Sequence, residues 1–112
     1  MSLLATLQSG KCTHQTQALD EAALVQYLQA LPDWRREGQH IARTYSFRNY
    51  YQTLAFVNAL AYVVHQQDHH PELTVTYNRC TVRFDTHSVG GLSANDFICA
   101  AKADQLFAAA PA

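Results

Sequence analysis

The chain has 112 residues, of which 48% are apolar and 15% charged. That length suits one domain, since a domain takes roughly 100–200 residues, and it leaves no room for a second. Disorder of the whole chain is excluded as well, because the charged fraction falls well below the roughly 25% of an ordinary globular protein. Eight Lys and Arg against nine Asp and Glu give a net charge of -1 with no long run of either sign, which provides no electrostatic footprint for nucleic acid or an anionic membrane.

Residues 1–18 are rich in Ser, Thr and Gln without a period and read as a loosely ordered arm. Residues 19–112 read as a single domain. No basic run precedes Leu3-Leu4-Ala5, and no stretch reaches 18 apolar residues, so the expectation is a cytoplasmic protein without a membrane span. Asp20 is a good N-cap, and Ala23, Leu24, Tyr27, Leu28 and Leu31 recur at helical spacing until Pro32. Trp34-Arg35-Arg36, a Glu37-Gly38 turn and His40 to Phe47 form a hairpin pattern, with Ile41, Tyr45 and Phe47 toward one face.

From Asn49 to about Gln67 the helical period returns, with Leu54, Val57, Ala61 and Val64 as one stripe and Phe56, Leu60 and Val63 off it. A helix apolar on two sides needs cover on two sides, which points to a homo-oligomer. Pro71 ends the helix. Thr74 to Tyr77 and Cys80 to Phe84 are short strands about an Asn78-Arg79 turn. Gly90-Gly91 reopens the chain, Ser93 with Asp96 reads as a capping box, and Phe97, Ala100, Ala103 and Phe107 mark the last helix. The order α-β-β-α-β-β-α predicts an α+β fold: a four-stranded antiparallel sheet with three helices on one face.

Cys12, Cys80 and Cys99 are odd in number and lack a C-x-x-C spacing, so they read as reduced thiols. The histidines carry more information. His69 and His70 stand before the second hairpin and His87 just after it, and a hairpin returns its two ends to one edge of a sheet, so the three converge on a cleft. Imidazoles titrating near neutrality can give and take protons, whereas an isolated histidine such as His14 or His40 is ordinarily a bystander. Spacing alone leaves catalysis, metal binding and coincidence open for the trio. Metal is disfavoured, since adjacent side chains diverge and the spacing matches no known ligand pattern. Asp96 reads as a helix cap rather than an acid. No P-loop, Rossmann glycine pattern or G-x-S-x-G is present.

The run His65-x3-His69-His70-Pro71, five residues, Tyr77, nine residues, His87, eight residues, Asp96 resembles the signature of the pterin-4a-carbinolamine dehydratases, the dimerisation cofactor family. His69 to Glu72, Val75 to Asn78, Thr86-His87, Gly90 to Ser93, Trp34 and Tyr45-Ser46-Phe47 extend the likeness over about Asp20 to Phe107. The resemblance implies the same element order and a hydro-lyase that removes water from a 4a-hydroxytetrahydropterin, of the tetrahydrobiopterin type, to give quinonoid dihydropterin. It implies no metal, flavin or nicotinamide. It places His69 and His87 at the acid/base positions and His70 at the position that orients the pterin. It also implies that Asp68, Asp85 and Thr86 line the pocket and that His65, one helical turn before His69, hydrogen-bonds it. His65, Leu73 and Asn95 stand where the family often has Glu, Trp and Arg. The implied partners are the pterin substrate, further copies in a homodimer or homotetramer, and an aromatic amino-acid hydroxylase. The competing expectation is a non-catalytic dimeric adaptor or assembly factor of the same fold.

Overall fold

The chain opens, in the computed structural model describing residues 2–109, with a helix where a loose arm was expected. The first residue of that arm and the last three of the expected domain lie outside the described residues. Helix α1 (Leu3–Ser9) is capped by the Ser2 side chain, which accepts from the Ala5 N–H. Seven residues are too few to hold a helix alone in water, so packing sustains it: Leu7 is buried, with Leu3 and Leu4 half-buried beside it. At its end Gly10 permits the close approach, because a Cβ there would sit 3.2 Å from Ile98.

The remaining elements follow the expected order. Asp20 caps α2 (Glu21–Ala30) by accepting from Ala23 N–H at 2.8 Å. Strands β1 (Arg35–Glu37) and β2 (His40–Ser46) form the first hairpin, and Asn49 caps α3 (Tyr50–Gln67) by accepting from Gln52 N–H. Strands β3 (Glu72–Val75) and β4 (Arg79–Phe84) form the second hairpin, and α4 (Ala94–Ala109) closes the fold. All strand pairs are antiparallel and the sheet order is β1-β2-β4-β3. The fold is therefore α+β, with four α-helices among the described residues where three were expected, the extra one being α1.

The sheet has two unlike faces, as strand alternation requires. Ile41 and Tyr45 of β2 and Cys80, Val82 and Phe84 of β4 are buried in the core, while Thr44 and Thr81 pair their hydroxyls on the other side at 2.8 Å. Tyr45 meets Phe56 of α3 and Phe107 of α4 at centroid distances of 4.7 and 4.9 Å. Trp34, Arg43 and Tyr45 all donate to Asp104 of α4, which satisfies the polar tips this core encloses.

Two local expectations shift. The core stripe of α3 is Thr53, Phe56, Leu60 and Val64, so the stripe read through Leu54 and Ala61 is the helix's flank. The second hairpin turns at Tyr77-Asn78, one residue early, with Thr76 N–H donating to Arg79 O across it. The turn is tied from outside: Thr53 hydroxyl donates to Tyr77 O and Phe47 N–H to Asn78 O. No described helix is long and apolar enough to cross a membrane.

Candidate active site

The site forms where the end of α3, the end of β4 and the start of α4 meet. Helix α3 stops at Asp68, whose left-handed backbone (φ 51, ψ 44) turns the chain out of the helix. That break ends the helical spacing before His69, so His65 does not bond it. His69 instead swings inward, stacks parallel on Phe84 with centroids 6.0 Å apart, and is left only 11% exposed at its side chain. Its Nε2–H donates to Asp96 Oδ1 at 2.6 Å.

Asp96 is fully buried in the first turn of α4. Its other oxygen, Oδ2, accepts from Ser93 N–H at 2.9 Å and from the Thr86 hydroxyl at 2.8 Å. Because Thr86 has one hydroxyl proton and spends it on Asp96, the 2.7 Å contact between Thr86 and Ser93 is a donation from Ser93. Every side-chain hydrogen bond at Asp96 is donated to the carboxylate, which has no water-exposed atom. The helix N-terminus helps to hold it there. Asp96 is the cap the sequence indicated and also the partner of His69, a role the sequence reading did not assign.

Opposing effects set the protonation of His69. Burial disfavours the charged ring, but the Asp96 hydrogen bond and charge, with smaller help from Cys12 and Asp85, outweigh it and raise the pKa above the ordinary imidazole value. With Nε2 engaged, Nδ1 is the ring nitrogen left to meet a ligand.

His69 borders two cavities. The larger, about 350 Å³, is lined by Leu60, Val64, His65, Asp68, His70 and Leu73 among others. The smaller, about 180 Å³, is bounded by Asp68, Thr86, Ser88 and Asn95 and by Cys12, Thr13 and His14 from the N-terminal segment. Asp68 faces both, and its carboxylate pairs with His14 at 3.0 Å. Thr86 reaches the site mainly through Asp96. His87 and Asp85 are exposed and line neither cavity, although Thr86 and Ser88 on either side of His87 do. His87 begins a 3-10 turn, His87–Val89, that Gly90 ends with φ +68, a conformation suited to glycine. Among the described residues, no three His, Cys, Asp or Glu side chains are arranged to hold a metal ion.

Sequence reasoning missed the wall supplied by the N-terminal segment. The Asn95 amide clamps it, donating to Thr13 O at 2.8 Å and accepting from Thr13 N–H at 3.1 Å. Gln67 Oε1 accepts from Cys12 N–H at 2.8 Å.

The α+β sheet thus carries a histidine-carboxylate pair bordered by two cavities. The chain belongs to the family described as Pterin 4 alpha carbinolamine dehydratase, whose sequence pattern it matches over residues 17–106. It is 60% identical over 94 residues to a Bdellovibrio bacteriovorus protein named "Putative pterin-4-alpha-carbinolamine dehydratase", covering 80% of this chain and 78% of that one. A Nitrosospira multiformis protein of the same name is 50% identical over 104 residues, 93% and 92% of the two chains. The crystal structure of a transcriptional coactivator/pterin dehydratase from Brucella melitensis superposes with a TM-score of 0.77 at 29% identity, over 80% of this chain and 98% of that one. A pterin dehydratase-like protein identified as a RuBisCO assembly factor in the alpha-carboxysome gives 0.60 at 25% identity, over 70% and 93%.

Proposed function

We propose that the chain dehydrates a 4a-hydroxytetrahydropterin to quinonoid dihydropterin, with His69 as general acid. The observation that carries this reading is the 2.6 Å pair of His69 with buried Asp96, set between two cavities. Hydroxide is a poor leaving group, so the C4a–O bond breaks readily only if its oxygen gains a proton as it departs. The His69 imidazolium supplies that proton from Nδ1, water leaves, and the negative charge of Asp96 keeps the cation populated in a buried setting. The N5 proton passes to a neutral imidazole while the C4a=N5 double bond forms. His87, exposed on its turn between two cavity-lining residues, is that base.

His70, on the wall of the larger cavity, orients the pterin. Asp68 and His65 share that wall, Thr86 holds Asp96 in place, and Asp85 adds negative potential near His69. Positioned acid and base groups contribute roughly 10²–10⁴-fold in rate, enough for a carbinolamine that already loses water slowly unaided. The same reading makes the protein a cytoplasmic homo-oligomer that returns pterin to a tetrahydropterin cofactor cycle, such as that of an aromatic amino-acid hydroxylase.

The fold shared with a RuBisCO assembly factor supports the second reading, a non-catalytic adaptor. Decay of a freshly generated 4a-carbinolamine, followed with and without the protein, separates the two. Acceleration that saturates with substrate is expected. Decay at the uncatalysed rate would remove the dehydratase reading and leave the adaptor.

A further inference from the structure

Neither Cys12 nor Cys99 gives or takes a proton in the dehydration proposed above, yet their sulfurs lie 3.6 Å apart across 87 positions of sequence. Cys12 is half-buried on the wall of the 180 Å³ cavity. Cys99 is fully buried behind it on α4, and its thiol reaches the His69 carbonyl at 3.8 Å. The approach is built from both sides. Gln67 and Asn95 fix the backbone of Cys12 and Thr13 by three hydrogen bonds, and α4 fixes Cys99. The third cysteine, Cys80, is sealed in β4, where burial pushes its thiol up to about 11.

We propose that Cys12 and Cys99 form a thiol pair that a hydroperoxide converts into an intramolecular disulfide, Cys12 reacting first and Cys99 resolving it. The Cys12 thiolate attacks one peroxide oxygen; the S–O bond forms, the O–O bond breaks, and the other oxygen leaves as alcohol or water after taking a proton. The Cys99 sulfur then attacks the Cys12 sulfenic acid. The S–S bond forms, the S–O bond breaks, and hydroxide leaves with the Cys99 proton as water. Two thiols are oxidised by two electrons and one peroxide is reduced; hydrogen peroxide yields two waters.

The neighbourhood suits this order of events. The hydrogen bond from Cys99, against the opposing effect of burial and aided by the positive charge of His69, holds Cys12 below the usual thiol range. Cys99 is pushed upward, first by its bond with Cys12 and then by burial, and so stays a thiol until it resolves. Closing 3.6 Å to a disulfide length of about 2.0 Å needs a movement that the half-buried loop can supply while α4 stays in place. The bond would tie the N-terminal segment covalently to the helix that carries Asp96.

The test uses the full chain, treated with stoichiometric hydrogen peroxide, then alkylated under denaturing conditions and mapped by mass spectrometry. The expected product is a Cys12–Cys99 cross-linked peptide with Cys80 fully alkylated. In Cys99→Ser the sulfenic acid stays on Cys12 and is trapped by dimedone, and Cys80→Ser forms the same cross-link as the natural chain. Full alkylation of Cys12 and Cys99 after peroxide, a disulfide through Cys80, a bond between two copies, or no dimedone adduct in Cys99→Ser would each overturn the proposal. None of these readouts depends on dehydratase activity.

Discussion

Replacing Asp96 with asparagine keeps an acceptor for Ser93 N–H and Thr86 while removing the charge that faces His69. The amide nitrogen turned toward Nε2 is a donor, so His69 must offer a lone pair there and becomes the neutral Nδ1–H tautomer. Burial, the largest influence on His69, then acts with little opposition and the pKa falls. Exchanging a charge-assisted hydrogen bond for a neutral one costs about 1–2 kcal/mol, since the two kinds contribute about 1.5–3 and 0.5–1.5 kcal/mol. The sign of the pH dependence follows from the upward shift in the folded protein. The folded state binds the His69 proton more tightly than the unfolded chain does, so the pair's contribution is complete below the unfolded value of about 6.5 and is lost as pH rises through the folded pKa. Asp96→Asn should therefore lower stability most at about pH 5.5, a unit below free imidazole, and progressively less in alkali. It should also lower turnover by about 10²-fold or more, the contribution of a positioned acid. Urea unfolding across pH, with an NMR titration of the His69 ring, checks both. If His69 titrates in the variant as in the natural protein, Asp96 does not control its charge and the acid assignment fails.

The histidines should separate by role. His69→Ala and His87→Ala are expected to reduce kcat strongly, His87→Ala with little change in Tm because its side chain is exposed, while His70→Ala should raise KM with a smaller effect on kcat; equal kcat losses in all three variants would contradict the division. Turnover should trace a bell across near-neutral pH, since one imidazole must be protonated and another neutral, and should persist in EDTA. Inactivation by chelator, reversed by zinc, would transfer the histidines to a metal. The chain should sediment as a homo-oligomer at micromolar concentration. The outer side of α3 leaves Tyr51 81% and Tyr62 66% exposed, beside an apolar groove of about 490 Å³ lined by Phe47, Ala55, Phe56, Ala59 and Leu106. A monomeric mass would refute that.

What could be read from sequence was what local rules control. Asp20 announces its helix because a cap needs only its own first turn. The hairpins follow from alternation and turn residues, and the one-residue error at Tyr77-Asn78 arose because Thr53 and Phe47, far away in sequence, take the turn's carbonyls. Helix α1 escaped for the same reason: Leu3, Leu4 and Leu7 are too few for a periodic signal, and their helix exists because α4 offers a surface to bury them.

The site divides along the same line. His69 and His70 could be placed at one edge because a hairpin is local, and the same rule brings His87 to that edge, between Thr86 and Ser88 of the smaller cavity's wall with its own side chain exposed. Asp96 satisfied a capping rule so completely that nothing remained to suggest another task. A cap spends one carboxylate oxygen on the helix, and here Oδ2 meets that need together with Thr86, leaving Oδ1 directed at whatever packs over the helix start. The residue there is His69, delivered by the left-handed turn at Asp68. Asn95 shows the complementary case. Its amide both donates to Thr13 O and accepts from Thr13 N–H, and a guanidinium, which only donates, could not accept there. Asn95 therefore serves the N-terminal segment: it holds Thr13, and with it Cys12, against the helix that carries both Asp96 and Cys99.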